Sequence, residues 1–285
     1  MPALPPSDQR LATAAAKLPT GPRIFQQLSA ASKNPDVSVS EIVSLVRTDP
    51  TLSARILRIA NSAAFSRGEP IGTLDGAIER IGFSQINLLV GGVVSSQLFT
   101  SGLPVYGVSG DELWDHSLTA ATALSKLAEI AGEDGRNGYT LGLLRPVGRL
   151  LLQRLALEQA CAPFSGRHPT AALVEAWELR TFGVTHAQAV EQLFSLWGFA
   201  PALLQPLRYH RSPADDPQNG RMTALLHIAG WVAEGLGHGL SIEKEAWQVT
   251  DQVLLQAGLP ADAPQAVVEA TRRSADQLRS LLRAA

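Results

Sequence analysis

The stretch Asp49-Pro50-Thr51-Leu52-Ser53-Ala54-Arg55-Ile56-Leu57-Arg58-Ile59-Ala60-Asn61 decides the fold class. An acid that can accept the first free amides stands directly before a proline, whose missing N–H costs nothing in a first helical turn. Leu52, Ile56, Leu57 and Ile59 then recur at helical spacing, and Asn61 is a plausible stop. Working outward, the same signals repeat. Ser38 and Glu41 have the spacing of a capping box, followed by Ile42, Leu45 and Val46 on one face. Thr73 and Ser84 are placed to cap two further helices, the first ending at Gly82 and the second carrying Ile86, Leu89, Val90, Val93, Val94 and Leu98.

Beyond Thr100 the pattern breaks. Gly102, Pro104, Gly107 and Gly110 crowd one short stretch, which is the best candidate for a boundary between subdomains. Helices are then expected near 111–131, 138–157, 170–181, 186–198, 201–210, 221–236, 243–257 and 263–283, with a surface loop at Arg211 to Gly220. The longest alternating run, Val37 to Ser40, reads better as a cap than as a strand. The expectation is an all-α protein of two helical lobes. It divides into an extension at 1–17, a five-helix lobe at 18–108, a second bundle at 109–238 and C-terminal helices at 239–285.

Composition narrows the chemistry. The chain has 285 residues, 45% hydrophobic and 18% charged, enough for a sizeable core. Its net charge of -2 gives no whole-protein field toward nucleic acid or anionic lipid. No apolar run approaches the 18 to 20 residues or so of a membrane helix, and the start lacks the order of a signal peptide, so a cytoplasmic protein is expected. The single cysteine, Cys161, excludes an internal disulfide, and neither it nor His168 lies in a nucleophile motif. The six histidines are left as the main supply of metal ligands and neutral-pH bases.

The residues Asp49, Pro50, Arg55, Asn61, Ser62 and Phe65, with Ile71, Ala77-Ile78 and Ile81-Gly82, make this chain resemble the HDOD family over roughly Leu18 to Gly237. The resemblance implies an all-helical bacterial regulatory module related to the HD metal-dependent phosphohydrolases. In the second half, His116 stands where such enzymes carry a first histidine. Arg145-Pro146 replaces the His-Asp pair, Gly230 falls where a later aspartate would stand, and His186 and His210 match segments with extra histidines. Proline and glycine offer no ligand, and arginine brings a fixed positive charge to a cation's place.

The expected function is therefore a non-catalytic signal-transduction module that works through protein contacts, as in the output part of a two-component response regulator, with no cofactor and no nucleic-acid partner. Two alternatives stay open. One is a residual phosphohydrolase using His116, His186 and His210. The other is a phosphate or nucleotide sensor whose anion pocket is built from Arg145, Arg149, His116, His186 and His210. Arg55 and Arg58 read as a solvated helix face or a partner surface. The amphipathic C-terminal helix either docks on the bundle or binds a partner or a second copy.

Overall fold

The computed structural model describes residues 8–18, 44, 46–47, 49–65, 68–166, 169–199 and 201–284. Among the described residues there is no β-strand, and the helices are α1 (Asp8–Ala16), α2 (Pro50–Ala60), α3 (Leu74–Ile81), α4 (Phe83–Phe99), α5 (Gly110–Ile130), α6 (Gly135–Leu144), α7 (Val147–Glu158), α8 (Ala171–Phe182), α9 (His186–Leu196), α10 (Pro201–Tyr209), α11 (Arg221–Gly235), α12 (Asp251–Ala257) and α13 (Ala263–Ala284). The all-α expectation holds. The Ser38–Glu41 cap and His168 lie outside the described residues, as does part of the expected five-helix lobe.

The stretch that decides the fold class forms α2 as its chemistry dictates. The Asp49 carboxylate accepts from the amides of Thr51 and Leu52 at 2.8 and 3.0 Å, Pro50 occupies the first turn, and Asn61 closes the helix. Leu52, Ile56, Ile59 and Ala60 are buried. Thr73 caps α3 through the amide of Gly76. Ser84, by contrast, is not the cap of α4: the helix begins at Phe83, and Gly82 stands before it with a φ of +88°. That backbone conformation suits glycine and turns the chain sharply from α3 into α4.

Two further expectations are corrected. A single helix over 138–157 is broken into α6 and α7 at Arg145-Pro146, since a proline supplies no N–H to a continuing ladder. A helix over 243–257 shrinks to α12, because Thr250 caps at that point, accepting from Val253, and Glu245 lies at a φ of +63°. The segment before it carries a 3₁₀ turn at Ser241–Glu243. The stretch between 100 and 110, expected as a subdomain boundary, forms a packed 3₁₀ turn, with Leu103, Val105, Tyr106 and Val108 buried. The loop at 211–220 is likewise anchored, by Asp216, which accepts from Thr223 Oγ1 at 2.6 Å, Gln205 Nε2 at 2.7 Å and the amides of Gln218 and Gly220.

One continuous apolar core runs from Leu11 to Leu282. Helix α5 is its axis, packed against α6, α11 and α13, while α7 and α9 form a second layer. The expected extension at 1–17 contributes α1, which docks on α7 and α9. The last helix docks on the bundle: α13 packs along α5 and also touches α4, α11 and α2.

Candidate functional site

Helix packing places the second-half histidines and arginines together. His116 faces inward from α5. The α6–α7 break carries Arg145 at its corner, and Arg149 follows one turn later. Gly148 allows α7 to approach the start of α9: a Cβ there would lie 2.1 Å from the carbonyl oxygen of His186. His186 opens α9 behind a capping box made by Thr185 and Gln188. His210 follows α10. All five predicted pocket residues, His116, Arg145, Arg149, His186 and His210, are fully buried and converge.

The centre of the cluster is a residue that sequence reasoning missed. Glu243 takes both guanidinium nitrogens of Arg145, Nη1 at 2.7 Å and Nη2 at 3.0 Å, and its Oε1 also accepts from Arg149 Nη1. This two-pronged, charge-assisted geometry is the strong form of an arginine–carboxylate pair. Arg145 Nη2 also donates to His116 Nε2, and Nη1 lies 3.4 Å from His210 Nε2. A guanidinium only donates, so both Nε2 atoms act as acceptors and both rings carry their proton on Nδ1. Each Nδ1 then donates to a backbone carbonyl, His116 to His238 O at 2.7 Å and His210 to Leu207 O at 2.8 Å.

A second missed acid completes the set. Glu178 of α8 accepts from the amide and from Nδ1 of His186, both at 2.8 Å, and from the Tyr106 hydroxyl at 3.1 Å. Its Oε1 lies 3.6 Å from Arg149 Nε. The Glu243 turn is itself pinned, by Glu112 Oε1 accepting from Ser241 N at 2.8 Å and by Ala171 N donating to Lys244 O at 3.2 Å. Trp247 closes the side toward α11. Arg145 and Arg211 lie 5.1 and 5.4 Å from its ring centroid, within cation–π range. A Cβ on Gly230 would sit 2.7 Å from that indole, so the ring covers the place where an aspartate side chain would start.

Electrostatics follow from burial and from these partners. Burial, then the charge of Arg145, pushes His116 down to about 3. His210 is held well below the ordinary histidine value by the same two causes, and His186 is lowered by burial and Arg149. Burial opposes the charge of Glu243, but Arg145 and Arg149 override it and hold the carboxyl well below the usual carboxylate range. The result is a core of neutral histidines around paired arginines and carboxylates.

The donor set does not suit a divalent cation. The Nε2 lone pairs of His116 and His210, which would have to face a metal, face Arg145, and the Gly230 position is covered by Trp247. Among the described residues no group of three or more His, Cys, Asp or Glu side chains is arranged to hold a metal ion. The anion that Arg145 and Arg149 grip is the chain's own Glu243.

Among the motif residues of the first half, Asn61, Ser62 and Phe65 hold local structure. Asn61 pins Ile71 in both directions, donating to its carbonyl and accepting from its amide at 2.8 Å each, which closes the loop between α2 and α3. Ser62 Oγ donates to Ile59 O at 2.7 Å, and Phe65 packs on the core. Arg55 is only half-buried, bonded to Ser96 and to the Leu282 carbonyl.

Residues 18–213 match the HDOD domain. This chain belongs to the HDOD family. A crystal structure from Marinobacter aquaeolei VT8, provisionally named a signal transduction protein, superposes with a TM-score of 0.70 at 21% identity, over 97% of this chain and 65% of that one. An HDOD domain protein of unknown function from Geobacter sulfurreducens gives 0.66 at 23% identity, over 95% and 98%. A protein of Shewanella amazonensis SB2B, provisionally named a phosphohydrolase, gives 0.65 at 22%, over 96% and 97%. An uncharacterised protein of Treponema pallidum (strain Nichols) is 22% identical over 206 residues, 70% of this chain but 39% of that relative. These likenesses establish the fold; this HDOD chain spans well under half of the Treponema protein and about two thirds of the Marinobacter one. Among the described residues no single helix is long and apolar enough to cross a membrane.

Proposed function

We propose that this chain is a non-catalytic regulatory module of bacterial signal transduction that acts through protein contacts in the cytoplasm, in the manner of a response-regulator output part. One observation carries the reading. The guanidinium of Arg145 bonds the inward-facing Nε2 of His116 and lies within reach of that of His210, while Glu243 neutralises it. A hydrolase of the related kind needs a cation with an open position for an activated water, and here a fixed, already bonded organic cation stands among the histidines. The name given to the Marinobacter neighbour supports the signalling side of the reading.

The same cluster supplies a mechanism for a contact-based output. It joins α5, the α6–α7 corner, α8, α9, the end of α10 and the Glu243 turn through charged bonds in a dry interior. Such a hub favours one arrangement of these helices, and a partner that binds that arrangement better reads it out. The test is metal content by elemental analysis of the purified chain, together with hydrolysis of bis(p-nitrophenyl) phosphate with added manganese. Metal well below one equivalent and no turnover are expected. Stoichiometric metal with turnover that disappears in His116→Ala overturns the proposal.

A further inference from the structure

A cleft of about 220 Å³ opens where α2, α4, α5 and α13 meet, with Arg55, Ser96, Thr100, Asp111, Trp114 and Arg283 in its lining. Its volume is about seven times the roughly 30 Å³ that a water molecule takes up in the liquid, which leaves room for a small polyatomic ion and some hydration.

Arg55 is the centre of this cleft. Among the described residues no carboxylate lies within ion-pair distance of it. Nη1 donates to Ser96 Oγ at 2.9 Å and Nη2 to the carbonyl of Leu282 at 3.3 Å, so its fork is oriented and most of its five N–H groups remain available. The Ser96 hydroxyl donates onward to Val93 O at 2.7 Å, which fixes its lone pair on Arg55. Arg283 comes from a different helix, its guanidinium 5.5 Å from the centroid of the Trp114 ring. Its Nη2 donates to both oxygens of Asp115, at 3.5 and 3.4 Å, a carboxylate it shares with Arg279 Nε at 2.9 Å, so Nη1 and Nε are left for a ligand. Arg58, exposed one turn along α2, adds to the positive field, and burial together with Arg58 lowers Arg55 from its ordinary value.

We propose that this cleft binds a phosphate group, free or carried on a small molecule. Two oriented guanidiniums on separate helices match a tetrahedral oxyanion, which can face both at once, better than a planar carboxylate, which one fork saturates. Thr100 Oγ1 donates to Ser96 O at 2.8 Å, leaving its lone pairs as acceptors, and Asp111 offers a carboxylate at the edge. A phosphate keeps a proton on part of its population near neutral pH, since the second pKa is about 6 for a monoester and about a unit higher for the free ion, and can donate it to these acceptors. Sulfate cannot. Because Arg55, Ser96 and Arg283 belong to α2, α4 and α13, occupancy also ties the C-terminal helix to the first-half helices.

The proposal stands apart from the regulatory reading above, which rests on Arg145 and is tested by metal content. It is tested by isothermal titration of the full chain at low salt with inorganic phosphate, with AMP as a phosphomonoester, and with sulfate. Saturable binding of phosphate or AMP, at least about tenfold tighter than sulfate, is expected. Arg55→Gln and Arg283→Gln should each weaken it about tenfold or more, while Arg272→Gln, on the exposed side of α13 beside Glu269, should leave it unchanged. Equal affinity for phosphate and AMP assigns the site to the ion, and tighter AMP assigns it to a phosphorylated metabolite. Arg55 also holds the Leu282 carbonyl, so if Arg55→Gln fails to melt cooperatively, Arg283→Gln and Thr100→Val decide. No saturable binding, sulfate binding as tightly, or equal weakening by Arg272→Gln overturns the proposal.

Discussion

Glu243 matters more than any of the residues that the sequence singles out in its neighbourhood, because it is the acid that both Arg145 and Arg149 address. Glu243→Gln leaves two guanidiniums in a dry core with only Glu178 near one of them, and breaking a buried pair in this way costs about 3–5 kcal/mol. Arg145→Met removes a buried charge together with its partner's bond, while Arg149 still serves Glu243, so it should cost less. Urea unfolding of the two variants checks the order, and an Arg145→Met cost equal to or above that of Glu243→Gln contradicts it. The histidines set the pH response. His116, His186, His210 and His227 are all depressed in the fold, first of all by burial, so they stay neutral there while the unfolded chain protonates them below about 6.5. Stability from these groups is therefore complete above that pH and falls as the pH drops, by up to about 1.4 kcal/mol per unit for each histidine. Glu178 and Glu243, also depressed, add to the loss only below the ordinary carboxylate range. Urea midpoints at pH 7.5, 6 and 5 should decline steadily, and a flat profile down to pH 5 would count against the neutral cluster.

At the scale of elements, α4 and α13 meet through a size match. A Cβ on Gly92 would lie 2.4 Å from Cδ1 of Leu282, which is buried. Gly92→Ala should therefore destabilise the chain by about 1–3 kcal/mol through overpacking, partly offset by alanine's better helix propensity of about 1 kcal/mol. Leu282→Ala alone costs about 2–5 kcal/mol. In that background the clash is gone and only the propensity gain remains, so Gly92→Ala should become neutral or stabilising, a sign reversal that a double-mutant cycle reads directly. The same element scale shows what the sequence made legible. Caps and apolar periodicity placed α2, α3, α5, α8, α9, α10, α11 and α13 to within a residue or two, because those signals are local. Helix α12 and the α6–α7 break escaped, since Leu-rich flanks hide the proline at 146 and the start of the expected 243–257 helix looks like an ordinary acidic first turn. Glu178 and Glu243 escaped for the same reason: a carboxylate inside a helix or at its start is usually a solvated one, and only tertiary packing turns these two inward.

For the whole molecule the question is whether the first-half and second-half helices unfold together. Helix α13 touches α5, α4, α11 and α2, buries Val267, Ala275 and Leu282, and sends Arg279 to Asp115. Its Leu282 carbonyl takes a bond from Arg55 of α2. The helices before Gly110 therefore lean on a segment more than 150 residues later in the chain. A chain ending at Asp262 loses two buried aliphatic side chains worth about 1.5–3 kcal/mol each, besides the Arg279 contacts. At about 2–4 °C per kcal/mol for a protein near this size, the melting temperature should fall by on the order of 10 °C. Hydrogen exchange separates a general loss from a local one. Amides of α2 and α4 should lose protection more than those of α7 and α9, against which α13 does not pack closely, and the intact chain should melt in a single calorimetric transition. If the shortened chain keeps full protection in α2 and α4, α13 is an appendage and the coupling between the two halves runs through α4 and α5 alone.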